Sequence, residues 1–141
     1  MIRNTIILIV FLLFSCTKSG ENQDLLRNQA IWDKKNLSNY EFTLTVSCFC
    51  PEAVAGPHQI KVVDDTIVSV KDKPYDPLTG SLLMTIDELF AYVGKSIERK
   101  PYQKSITYNS LYGYPESVYF DFEKTMADEE IGYRITGFVK N

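Results

Sequence analysis

Two cysteines one residue apart, in Ser47-Cys48-Phe49-Cys50-Pro51, are the side chains of this 141-residue chain best placed to do chemistry. In a regular strand, residues i and i+2 share a face, with Cα atoms about 6.6 Å apart. Disulfides accept Cα separations up to about 6.8 Å and prefer less, so a Cys48–Cys50 bond needs a bend, and Pro51 marks a place for one. The loop such a bond closes is short. The chain-entropy relation gives about 1.6 kcal/mol for three residues, against about 4.7 kcal/mol for a hundred. The pair therefore reads in three ways. It is a disulfide or thiol pair shaping a local turn, or a couple for thiol–disulfide exchange, since strained disulfides reduce more readily. With His58, the single histidine, it is a Cys-x-Cys…His set for Cu(I) or Zn²⁺ that lacks an evident fourth ligand. Alone, His58 reads as a surface residue beside a turn.

The third cysteine changes this arithmetic. Arg3, then the apolar run 6–14, then Leu13-Phe14-Ser15-Cys16 give a positive, an apolar and a small-residue region in the order of a secretory signal. The cysteine after Leu-x-Ser resembles a bacterial lipoprotein signal, in which that cysteine is lipidated and becomes the mature N-terminus. The apolar run holds nine residues, where a membrane span needs about 20. With residues 1–15 removed and Cys16 carrying lipid, Cys48 and Cys50 are left as a pair in an envelope compartment that favours disulfides. The polar stretch 17–23 reads as a tether reaching roughly 15 Å, leaving 24–141 as one domain. The expected location is the cell envelope, outside the cytoplasmic membrane.

Other reactive groupings are weaker. Asp121, Glu123, Asp128, Glu129 and Glu130 crowd five carboxylates into ten residues, but EF-hand spacing and its glycine are absent, so a solvated acidic loop is expected. Tyrosine is dense in the C-terminal half, and the loop 109–114 offers Tyr112 and Tyr114 as candidate binding side chains. A Ser–His–Asp triad would have to use His58, and neither a Gly-x-Ser-x-Gly elbow nor a phosphate-cradling glycine loop is present. No catalytic residue and no cofactor is expected. The formal charge of −3 disfavours nucleic acid, whose backbone wants a basic face. It also gives no help on an anionic membrane, so lipid must supply the anchoring.

Periodicity supplies the elements that would position these groups. Leu25, Leu26, Ala30, Trp32 and Leu37 suggest a helix over 24–37. Residues 40–49 alternate apolar (Tyr40, Phe42, Leu44, Val46, Cys48) with polar, which predicts a strand covering a core on one side. β-branched runs predict strands at 58–64 and 67–71 around an acidic turn, and 73–80 reads as a loop. Thr85-Ile86-Asp87-Glu88 is a capping box, with Met84 and Leu89 placed as a staple, opening a helix that ends before Pro101. Three more strands follow at 104–109, 115–122 and 131–139. The order αβββαβββ, without strand–helix–strand alternation, predicts an α+β domain. It would be an antiparallel sheet of about six strands with two helices on one face. The repeated order also allows a duplicated αβββ unit.

Taken together, Trp32, Asn39-Tyr40-Glu41-Phe42, the Cys48-Phe49-Cys50-Pro51 run and Gly56-Pro57 with 60–70 resemble the family called domain of unknown function 6174. So do Thr85-Ile86-Asp87-Glu88-Leu89-Phe90, Gly113-Tyr114-Pro115 and Asp128-Glu129-Glu130-Ile131-Gly132-Tyr133. The resemblance covers roughly residues 30–139. It implies secreted or lipid-anchored proteins without an established activity, and makes the two cysteines and Gly113-Tyr114-Pro115 family features. The leading expectation is a non-catalytic envelope module binding a protein or small envelope ligand. The alternative is an accessory thiol–disulfide or metal-binding protein.

Overall fold

Alternation governs the first strand, β1 (Tyr40–Ser47): Tyr40, Phe42, Leu44 and Val46 are buried, and Thr45 and Ser47 face out. The computed structural model describes residues 20–78, 80–126 and 128–141. The expected signal segment and Cys16 lie outside the described residues. Ahead of β1 runs helix α1 (Gly20–Asp33), and after it come the one-turn helix α2 (Glu52–Ala55), β2 (His58–Val63), β3 (Thr66–Val70) and β4 (Lys73–Pro74). Helix α3 (Ile86–Glu98) leads to β5 (Gln103–Tyr108), β6 (Pro115–Asp121) and β7 (Ile131–Lys140). The strands form one seven-stranded sheet in the order β4-β3-β2-β1-β7-β6-β5, and every pairing is antiparallel. The α+β class and antiparallel sheet expected from the pattern are thus present.

The differences are local. Helix α1 begins earlier than the apolar spacing suggested, at Gly20, and ends earlier because the chain turns at Trp32–Asn36 through Lys35 N–H to the Trp32 carbonyl and Asn36 N–H to the Asp33 carbonyl. Strand β4, placed in the loop by its proline, exists because Lys71 and Asp72 take left-handed angles (φ 51° and 61°) and fold the chain back on β3. Asp64 and Asp65 do the same between β2 and β3 (φ 47° and 59°), the conformation a two-residue hairpin favours.

Duplication does not survive the topology. The first strand of each half, β1 and β5, runs in opposite directions, which excludes a translation along the sheet. Each half reads third-second-first across the sheet, which excludes a two-fold axis normal to it. A two-fold axis in the sheet plane, across the strands, would put the helices on opposite faces. Instead α1 and α3 touch each other, and both pack at Tyr40.

The core lies between that one face and the helices. Helix α3 sets Ile86, Leu89, Phe90, Val93 and Ile97 into it, and its start is fixed by the predicted box: Glu88 N–H donates to Thr85 Oγ1 and Thr85 N–H to Glu88 Oε2. The Tyr40 hydroxyl, buried beneath this start, accepts from Ile86 N–H at 3.2 Å. At the other corner Trp32 meets Tyr40, Tyr114 and Phe138 edge to face. Phe138 reaches that cluster only because β7 bulges. Glu41 pairs with Val139 and Thr43 with Thr136, so Gly137 and Phe138 together face Phe42. Gly137 absorbs the extra residue at φ 61°, a conformation that favours glycine.

Candidate binding face and disulfide corner

The β1 ladder ends at Ser47, paired with Gly132, and the chain then bends. Cys50 N–H donates to the Cys48 carbonyl at 2.9 Å, drawing the two Cα atoms to 5.2 Å, and the sulfurs are bonded as a disulfide. The bend anticipated from Pro51 is therefore present. Phe49, at the tip between the cysteines, is 83% exposed, while Cys48 and Cys50 are half-buried. Downstream, Val54 and Ala55 N–H both donate to the Pro51 carbonyl. His58 is buried rather than at the surface, because its ring folds back on α2 and Nε2 lies 2.9 Å from the Val54 carbonyl. A carbonyl only accepts, so Nε2 donates in this contact and the lone pair of the neutral ring lies on Nδ1. With the sulfurs bonded to each other, Cys48 and Cys50 present no thiolate beside His58. Among the described residues no cluster that could hold a metal ion is found.

Tyr112 and Tyr114 sit elsewhere, and differently from a displayed loop. Tyr114 is 4% exposed and packs on Trp32 and Phe138; Tyr112 meets Phe138 at a tilt, with centroids 4.8 Å apart. The loop is tied by the Asn109 carboxamide, whose oxygen accepts from Leu111 and Tyr112 N–H, which turns both rings onto the core. Of the two candidate binding side chains, Tyr114 is thus buried and Tyr112 half-buried. In the acidic segment, Asp121 is buried at the end of β6 and accepts from Glu123 N–H, and Glu129 also accepts from Glu123 N–H.

The sheet face opposite the helices carries an ordered polar surface. Cross-strand register places Thr107, Ser117, Arg134 and Thr45 side by side across β5, β6, β7 and β1. The neighbouring row is Ser105, Tyr119, Gly132 and Ser47, and on the other side Thr136, Thr43 and Gln59 continue the face. Gly132 has no side chain where the row would place one, and a hollow of about 290 Å³ opens there between Ser47, Tyr119 and Arg134. A second hollow of about 400 Å³ lies beyond Arg134, bordered by Thr107, Glu116, Ser117 and Thr136. Arg134 borders both. It is exposed and, among the described residues, makes no ion pair, whereas Lys61 on the same face is matched by Glu41 at 3.1 Å. That match also holds the Glu41 carboxyl below its ordinary pKa.

On the helix side, a cleft of about 460 Å³ is bordered by Trp32, Leu37, Asp33, Asp65 and Asp87. Asp87 accepts from the Trp32 indole at 3.1 Å, and burial, reinforced by Asp65 and Asp33, pushes its carboxyl pKa up. Neither Arg134 nor this cleft was legible as a site in sequence. Tyr119 could be placed on the outer face of its strand, but only strand order and register bring it beside Gly132 and Arg134.

The geometry defines an α+β domain with one helix-covered sheet face and one open, hydroxyl-rich face. The chain belongs to the family described as a family of unknown function (DUF6174), which matches residues 24–140. No curated protein and no solved structure matches it.

Proposed function

We propose that this chain is a non-catalytic binding module whose open sheet face grips a carboxylate-bearing segment of a partner protein, and that a lipid on Cys16 holds it at the envelope membrane. The observation that carries the reading is the placement of Arg134. Among the described residues it is a guanidinium without an ion pair, in register between Thr45 and Ser117, with a hollow on either side. A guanidinium presents a planar fork of donors that suits a carboxylate, and the flanking hydroxyls add further donors. Tyr119 supplies rigid apolar area beside the hollow, of the kind recognition surfaces use. Charge complementarity thus favours an acidic occupant over an apolar one. The Cys16 part rests on the signal-like order of residues 1–16.

The test compares capture of envelope proteins by the full chain, by Arg134→Glu, and by Arg27→Glu on the exposed surface of α1. A species retained by the native chain and Arg27→Glu but lost with Arg134→Glu supports the reading. Retention by all three contradicts it. Labelling with a palmitate analogue checks the anchor: incorporation lost in Cys16→Ser is expected, and incorporation unchanged by that substitution contradicts it.

A further inference from the structure

We propose that Cys48 and Cys50 form a thiol–disulfide exchange couple that accepts two electrons from an external thiol or protein dithiol while the sheet stays intact. This stands apart from the open-face reading. Three observations carry it. First, the bond contributes little to the fold: it spans one residue, and the β1 ladder has already closed at Ser47 and Gly132. Second, the bend is held by the backbone as well as by the sulfurs. Cys50 N–H to the Cys48 carbonyl, the Pro51 carbonyl accepting from Val54 and Ala55, and the His58 contact to Val54 all remain when the sulfur bond opens. The two thiols therefore stay close, which favours re-closure. Third, the corner is accessible, with both cysteines half-buried at the surface and Phe49 83% exposed between them as an apolar contact for an approaching partner.

The exchange balances with a dithiol. One partner thiolate attacks a sulfur of the pair and forms a mixed disulfide; the Cys48–Cys50 bond breaks, and the sulfur released takes up a proton. The second partner thiol, losing its proton, attacks the mixed disulfide and expels the remaining cysteine as a thiol. The partner leaves as a disulfide, and Cys48 and Cys50 as two thiols.

The test uses the full chain in detergent, with Cys16→Ser so that only the pair is counted. The protein is equilibrated in buffers of varied reduced-to-oxidised glutathione ratio, quenched in acid, alkylated and weighed. Interconversion of the two forms across millimolar glutathione, with unchanged circular dichroism and tryptophan fluorescence, is the expected result. With Cys50→Ser added, oxidised glutathione should place one glutathione on Cys48. The idea is overturned if the pair stays oxidised in a thousand-fold excess of reduced glutathione. It is equally overturned if reduction, or Cys48→Ala with Cys50→Ala, unfolds the domain.

Discussion

The Trp32 indole Nε1 donates to Asp87 Oδ1 at 3.1 Å, joining the end of α1 to the first turn of α3 across 55 positions of sequence. Trp32 is 3% exposed, so its N–H depends on that carboxylate. Asp87→Ala should cost about 1–3 kcal/mol by leaving the donor buried and unpaired. Asp87→Asn, which keeps an acceptor oxygen, should cost less. Urea midpoints measure both.

The same carboxylate predicts a pH dependence. Burial first, then Asp65 and Asp33, raises its folded-state pKa above the ordinary value near 3.8. A raised folded pKa gives a contribution fully present below the unfolded value and lost as pH rises through the folded one. The native chain should therefore lose stability relative to Asp87→Asn as pH rises from below 3.8 through the raised folded-state value. A stability difference between the two that does not change over that range would contradict the assignment.

Two glycines with positive φ should respond unequally to alanine. A Cβ on Gly113 (φ 83°) would collide with the Asn28 carbonyl oxygen and lie 2.9 Å from Ile31 Cβ, where α1 crosses the β5–β6 turn. On Gly137 (φ 61°) it would meet only Thr43 Oγ1, at 3.8 Å. Gly137→Ala should cost about 1 kcal/mol, from conformation alone. Gly113→Ala should add a further 1–3 kcal/mol or so of overpacking. Equal melting temperatures for the two variants would refute this.

Alkali should unfold the domain cooperatively. Burial pushes the phenols of Tyr40 and Tyr133 up beyond the ordinary value of 10, and that of Tyr108 to about 12. Their contribution is complete below pH 10 and is lost as the pH climbs through the folded-state values. Absorbance at 295 nm should show exposed tyrosines ionising near pH 10, and the buried ones only as circular dichroism is lost. A single smooth titration with intact secondary structure would count against this burial.

Much of this architecture was legible because strong local signals agreed with the tertiary outcome. The alternation at 40–47 and the Thr85–Glu88 box set β1 and the start of α3 within a residue or two of where they lie. The paired cysteines and the following proline foretold the bend at 48–50. What stayed hidden depends on long-range register. Thr45, Ser117 and Arg134 are unremarkable outward residues until β1, β6 and β7 are adjacent. The burial of Tyr114 was hidden because nothing local reveals that a bulge at Gly137 swings Phe138 under it.

The proposed recognition of an acidic partner segment by the open face rests on Arg134. Its most direct test is the side-by-side capture with the native chain, Arg134→Glu and Arg27→Glu, all three shown to be folded by circular dichroism. A species bound by the native chain and Arg27→Glu, and absent with Arg134→Glu, is expected. The same species recovered undiminished with Arg134→Glu would contradict it.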